Sequence, residues 1–225
     1  MRQLDSMHKV ALAVCLATSV LVIIAGVVWG IRLININRSQ VGMQQTSLAT
    51  GGFPLSGDFA PDFTLTDQFG QTETLSSLRG REVALAFIDS RCKTLCPLTA
   101  TIMYTAKQRL GAAAASKIAL IAVNANPAAT SVVEVQAWSI NHGMLHQWLF
   151  LTGTAAQLQS VYRAYHVYDE VSTDGAIVHD PILFIIDAQG RERLSYETLD
   201  SNTASDLNDE EIGLEDGMRQ WLPHS

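Results

Sequence analysis

Val83-Ala84-Leu85-Ala86-Phe87-Ile88-Asp89-Ser90-Arg91-Cys92-Lys93-Thr94-Leu95-Cys96-Pro97 is the stretch from which this chain is best read. Its first six residues form an unbroken apolar run, the pattern of a strand buried on both faces. Pro97 has no N–H, and inside a helix its ring would clash with the carbonyl of Lys93, so it belongs to a first helical turn. Cys96 therefore falls at or just before a helix start, with Cys92 in the loop above it. Thiolates there face the positive end of the helix dipole, which lowers their pKa and makes them better ligands and nucleophiles. Such a pair can close a disulfide or clamp one soft metal ion. Two merely structural buried cysteines would leave the strand, the spacing and the proline as coincidences.

Outward from this run, apolar strands alternate with helical patterns. Phe63 and Leu65 alternate with Thr64 and Thr66, and the turn-rich Asp67–Gly70 predicts a hairpin returning through Thr72–Leu75. A helix is expected over about 98–110, a second buried strand over Ile118–Val123, and a helix over about 131–141 that stops at His142-Gly143. A short strand at 148–151, a helix at 155–165, a buried strand at 181–187 and a strand at 191–196 follow. The last helix is expected within 209–222, with Ile212, Met218, Trp221 and Leu222 turned inward. Together these predict an α/β fold with a mixed central sheet flanked by helices.

The chain has 225 residues, three cysteines and a formal charge of −7. One ordinary domain plus appendages fits this length. Residues 1–52 hold four basic side chains against one acidic, whereas 200–225 hold one against seven. No basic patch with interleaved aromatics appears, which argues against nucleic acid as a partner, and three cysteines do not make a disulfide scaffold. Between Lys9 and Arg32 no residue is charged, a span long enough to cross a hydrocarbon core of ~30 Å as a helix. Trp29 suits the interface. A cleaved signal peptide is the alternative, against the length of the apolar region and the lack of a small-x-small site just after it. The expected organisation is a head at 1–9, a transmembrane anchor at 10–31, a tether at 32–52, a folded domain at 53–200 and an acidic tail with a C-terminal helix at 201–225. The short head and large C-terminal domain suggest a single-pass protein of the plasma (inner) membrane with its domain on the extracytoplasmic, periplasmic side. Thiols there need a reductant or a metal to stay open.

Over residues 55–200 the chain resembles the SCO/SenC family, thioredoxin-fold proteins that help assemble the copper site of cytochrome c oxidase. The resemblance rests on Ala60-Pro61-Asp62-Phe63-Thr64-Leu65, on Cys92-x-x-x-Cys96-Pro97, on Trp148-x-Phe150-Leu151-Thr152-Gly153, and on His179, eight residues before Asp187. It implies a thioredoxin-like fold and copper held by Cys92, Cys96 and His179. Two thiolates suit Cu(I), and an imidazole also accommodates Cu(II). The chain departs from the family at Asn124-Ala125-Asn126-Pro127, where an aspartate-proline turn is usual. It departs again at Pro181, which stands where thioredoxins carry a cis-proline; a trans proline opening a strand is the other reading.

Other histidines carry less. His142 and His146 bracket Met144 at a spacing that suggests a second soft-metal site, yet they straddle the stop at Gly143 and need not share a face. His166 ends a helix and reads as structural. Two functions stay open for the cysteines: a membrane-anchored copper chaperone passing copper to the copper-bearing oxidase subunit or another copper protein, and a thiol–disulfide oxidoreductase that reduces the cysteines of a copper-accepting partner. In the second, Cys92 and Cys96 are the catalytic pair, and either function would call on a thiol reductase as a further partner. A peroxiredoxin-like peroxidase is disfavoured, because Asp89 stands where such enzymes carry threonine.

Overall fold

The computed structural model describes residues 52–167, 169–171, 177–179, 182–198 and 204–223, with the side chains of 169–171, 177–179, 204 and 205 outside the description. The expected head, membrane anchor and nearly all of the tether lie outside the described residues, as do Asp180 and Pro181. Among the described residues no helix is long and apolar enough to cross a membrane.

The chain opens with β1 (Phe53–Pro54) and the hairpin β2 (Thr64–Thr66) and β3 (Thr72–Thr74), followed by β4 (Glu82–Ile88), α1 (Leu95–Arg109), the short α2 (Ala112–Ala115) and β5 (Ile118–Asn124). Next come α3 (Val132–Asn141), β6 (Leu149–Leu151), α4 (Ala155–Ala164), β7 (Asp169–Val171), β8 (Ile177–His179), β9 (Ile182–Ile186), β10 (Glu192–Glu197) and α5 (Ala204–Trp221). The main sheet has the order β1-β10-β9-β4-β5-β6. β4, β5 and β6 run parallel, while β9 lies antiparallel to β4 and to β10. The sheet is therefore mixed, as the alternation of strands and helices predicts.

Every residue of β4 and β5 is buried, because each face of the sheet is covered. Ala84, Ala86, Ile88, Leu120, Ala122 and Ile185 point into one core with Met103 of α1, Trp138 of α3 and Met218 of α5. Val83, Leu85, Phe87, Ile121, Val123 and Phe184 point into the other, against Leu158 and Tyr162 of α4 and Phe63 and Leu65 of the hairpin. This even-and-odd division is the strand period of two, and each large apolar side chain so buried contributes roughly 1.5–3 kcal/mol. Gln68 fastens the hairpin: its Nε2 donates to the carbonyls of Leu145 and Trp148, and its Oε1 accepts from Phe150 N at 2.7 Å.

Three expectations need correction. α1 starts at Leu95, before the expected residue 98, so Cys96 and Pro97 both lie in its first turn. α5 begins at Ala204; Met218, Trp221 and Leu222 face the core as expected and Leu214 joins them, whereas Ile212 is exposed. The reason is close packing: a Cβ at Gly217 would collide with the Tyr196 hydroxyl, so this glycine lets the helix settle on β10 and sets which face turns inward. Finally, β1 and the two-stranded sheet of β7 and β8 have no counterpart in the sequence pattern, and His179 ends β8 rather than leading into β9. α3 stops where expected, with Gly143 at φ 70° in the left-handed region.

Candidate metal centre

The site stands at the C-terminal ends of β4 and β5, where Ile88 and Asn124 are in register and both chains leave the sheet. Asp89 turns the chain: its carbonyl accepts from Cys92 N at 3.1 Å, and its Oδ1 accepts from Arg91 N at 2.8 Å. The loop thus delivers Cys92 above the first turn of α1. Thr94 is the N-cap of that helix, but its side chain makes no capping bond and the first turn has no acidic residue. The sulfur of Cys92 fills this role instead, with the N–H groups of Cys96 and Thr94 directed at it and the Thr94 hydroxyl 3.7 Å away.

Cys92 and Cys96 are not joined in a disulfide; the first is half-buried and the second buried at 3% exposure. They hydrogen-bond to each other, and the partnership is unequal. The bond to Cys96, then the backbone N–H groups, hold Cys92 well below the ordinary thiol range. The same bond, then burial, pushes Cys96 far above it. One proton shared between two sulfurs, with the reachable sulfur as thiolate, suits both soft-metal binding and nucleophilic attack.

Of the three expected ligands, the structure brings Cys92 and Cys96 together. His179 ends β8 opposite Asp169, and its side chain lies outside the described residues. Among the described residues no three His, Cys, Asp or Glu side chains gather around one point. His142 and His146 do not meet. The Nδ1 of His142 lies 2.8 Å from the Trp138 carbonyl and its ring stacks on Trp138, while His146 stacks on Phe69. Met144 between them is buried. His166 sits at φ 55°, a left-handed residue closing α4, in keeping with its structural reading.

The sequence marks Asn124-Ala125-Asn126-Pro127 only as a departure from the family pattern and Asp89 only against a peroxidase; the structure joins the two beside the cysteines. Asp89, Asn124, Asn126 and Thr152 are all buried, and hydrogen bonds join them. Asn126 Nδ2 donates to Asp89 Oδ1 at 2.9 Å, Asn126 N to Asn124 Oδ1 at 3.1 Å, and Asn124 Nδ2 to Thr152 Oγ1 at 3.3 Å. The available signal was the pair of asparagines directly after an apolar strand, where buried polar side chains need partners.

The family model for SCO1/SenC proteins matches residues 54–209. The chain belongs to the SCO1/SenC family. Solved Sco structures share its fold. Arabidopsis thaliana ScoI with copper bound aligns with a TM-score of 0.61 at 20% identity, over 73% of this chain and 100% of the other. Bradyrhizobium japonicum ScoI with copper bound gives 0.60 at 21%, over 73% and 100%. BsSco, described as a member of the Sco family of cytochrome c oxidase assembly proteins with a disulfide switch, gives 0.58 at 19%, over 75% and 97%. No curated protein sequence matches significantly. The mixed sheet flanked by helices is thus the Sco architecture, with the cysteine pair of this SCO1/SenC chain at the strand-to-helix turn after β4.

Proposed function

We propose that this protein binds copper through Cys92, Cys96 and His179 and hands it to the copper-bearing subunit of cytochrome c oxidase or to another copper protein. The observation that carries the reading is the thiol pair itself: two adjoining sulfurs over a helix start, one of them favoured as thiolate. Membership of the SCO1/SenC family and the copper-bound Sco relatives support it. Copper is here the cargo. Two thiolates satisfy Cu(I), and His179 supplies the borderline nitrogen that extends the site to Cu(II). The apolar run 10–31 anchors the protein in the plasma membrane with its folded domain outside the cytoplasm, where the receiving subunit is reached.

The test is an anaerobic competition between the reduced protein and a Cu(I) chelator. The wild type takes one copper. Cys92→Ser and Cys96→Ser each abolish stable binding, because one sulfur and one imidazole leave a two-ligand site. His179→Ala keeps Cu(I) and loses most Cu(II). Unchanged Cu(II) affinity in that variant removes His179 from the site, and copper retained at full occupancy by both cysteine variants removes the reading.

The unequal thiols favour one second reading, a thiol–disulfide oxidoreductase. The Cys92 thiolate attacks a partner's disulfide and releases one partner thiolate. Cys96 then gives up its proton and displaces the second partner thiolate from Cys92, leaving a Cys92–Cys96 disulfide and a reduced partner. An external thiol reductase restores the pair. Because the disulfide consumes both sulfurs, oxidised protein carries no copper, and mass spectrometry of oxidised, copper-loaded protein checks this.

A further inference from the structure

Asp89 touches the cysteine loop through its N–H, its carbonyl and its Oδ1. Its N–H is directed at the sulfur of Cys96, its carbonyl accepts from Cys92 N, and its Oδ1 accepts from Arg91 N. Any rotation of Asp89 therefore moves both sulfurs relative to each other. What holds Asp89 lies on another strand connection. Asn126, in the turn after β5, donates its Nδ2 to the same Oδ1 at 2.9 Å.

Asn126 is itself fixed. Its Oδ1 accepts from Ala128 N at 3.0 Å, its carbonyl accepts from Ala129 N at 3.1 Å, and its N–H donates to Asn124 Oδ1. Asn124 in turn donates to the Ala129 carbonyl at 2.6 Å and to Thr152 beyond β6. A second tie across the same gap, Arg91 to Glu134 at 3.0 Å, is exposed at both ends, and exposed pairs hold little. The buried amide-to-carboxylate bond is the strong one, being charge-assisted and screened from water.

We infer that Asn126 is a positioning residue for the thiol pair: through Asp89 it clasps the Cys92 loop onto the end of β5 and sets the two sulfurs at their working separation. A site whose ligands are held in place before metal or disulfide forms loses less on ordering, so the clasp raises both the affinity for a soft ion and the stability of the disulfide. Its copper arm rests on the copper reading above; its redox arm does not.

The experiment measures the Cys92–Cys96 dithiol–disulfide equilibrium of the copper-free protein in graded dithiothreitol buffers, alongside Cu(I) affinity and thermal stability. Asn126→Ala is expected to make the disulfide about tenfold easier to reduce, about 30 mV for this two-electron couple, and to weaken Cu(I) binding by a similar factor. Asn126→Asp sets two carboxylates against each other and shifts both further. In an Asp89→Ala background, Asn126→Ala adds less than about twofold to either shift, since the bond it would break is already gone. A lowered melting temperature with an unshifted equilibrium in Asn126→Ala, or the full tenfold effect persisting in the Asp89→Ala background, overturns the inference. Should Asn126→Ala fail to fold, the effect of Asn126→Asp with and without Asp89→Ala decides it. A wild type that takes no copper ends the copper reading while the redox arm still judges the clasp.

Discussion

Strand β4 carries a buried carboxyl group at each end, and the protein treats the two in opposite ways. At the cysteine end, Asp89 accepts hydrogen bonds from Arg91 N and Asn126 Nδ2. At the far end, Glu82 is wholly buried and neither of its oxygens has a hydrogen-bond partner among the described residues. Burial, with the Asp187 carboxylate nearby, pushes Glu82 up to about 9, so it is neutral at pH 7. An acid that stays protonated is tolerable in an apolar setting; one that anchors a functional loop needs donors. The carboxyl group that holds the thiol loop is thus given donors, while the one that only packs is left without them among the described residues. Ser90 Oγ in the thiol loop also has no hydrogen-bond partner among them.

The sharpest way to break this contrast is Glu82→Met. The folded pKa of Glu82 lies above its unfolded value, so the folded state binds the extra proton and stability falls as pH rises from about 4.5 to about 9. Relative to wild type, the methionine variant should gain roughly 3 kcal/mol by pH 7, with a slope of about 1.4 kcal/mol per pH unit across that window. Urea unfolding of both proteins at pH 5, 7 and 8.5 measures the difference, in which the cysteine contributions cancel. A gap that stays constant with pH would show that Glu82 ionises normally.

Asp89→Ala should act in the other direction. It leaves buried Asn126 Nδ2 and the Arg91 N–H without their acceptor, at a cost of about 2 kcal/mol. If it proved as mild as a surface change, the cysteine end would be no better satisfied than the Glu82 end. The smallest effect belongs to Glu134→Ala, which removes an exposed partner of Arg91. A loss below about 0.5 kcal/mol is expected, vanishing at 1 M salt.

The same contrast explains what the sequence made legible. β4, β5 and β9 announce themselves as apolar runs because both faces of each are covered, and Cys96-Pro97 marks a helix start because proline tolerates little else. β1, β7 and β8 span two or three residues each and exist only through pairing, which leaves no local pattern to read. The inner face of α5 depends on Gly217 meeting Tyr196, a contact between distant segments. The bond from Asn126 to Asp89 crosses 37 residues and follows from the parallel register of β4 and β5. A carboxylate and an asparagine so far apart in sequence carry no mark of their meeting. The cysteine pair was legible because its neighbours in sequence are also its neighbours in space.

The central claim is that one copper sits between two sulfurs and one imidazole. X-ray absorption at the copper edge tests it most directly, on Cu(II)-loaded protein and on its His179→Ala variant. The account predicts two sulfur scatterers together with the outer-shell signature of one imidazole in the wild type, and loss of that signature in the variant. A first shell with fewer than two sulfurs, or an imidazole signature that survives removal of His179, would contradict it.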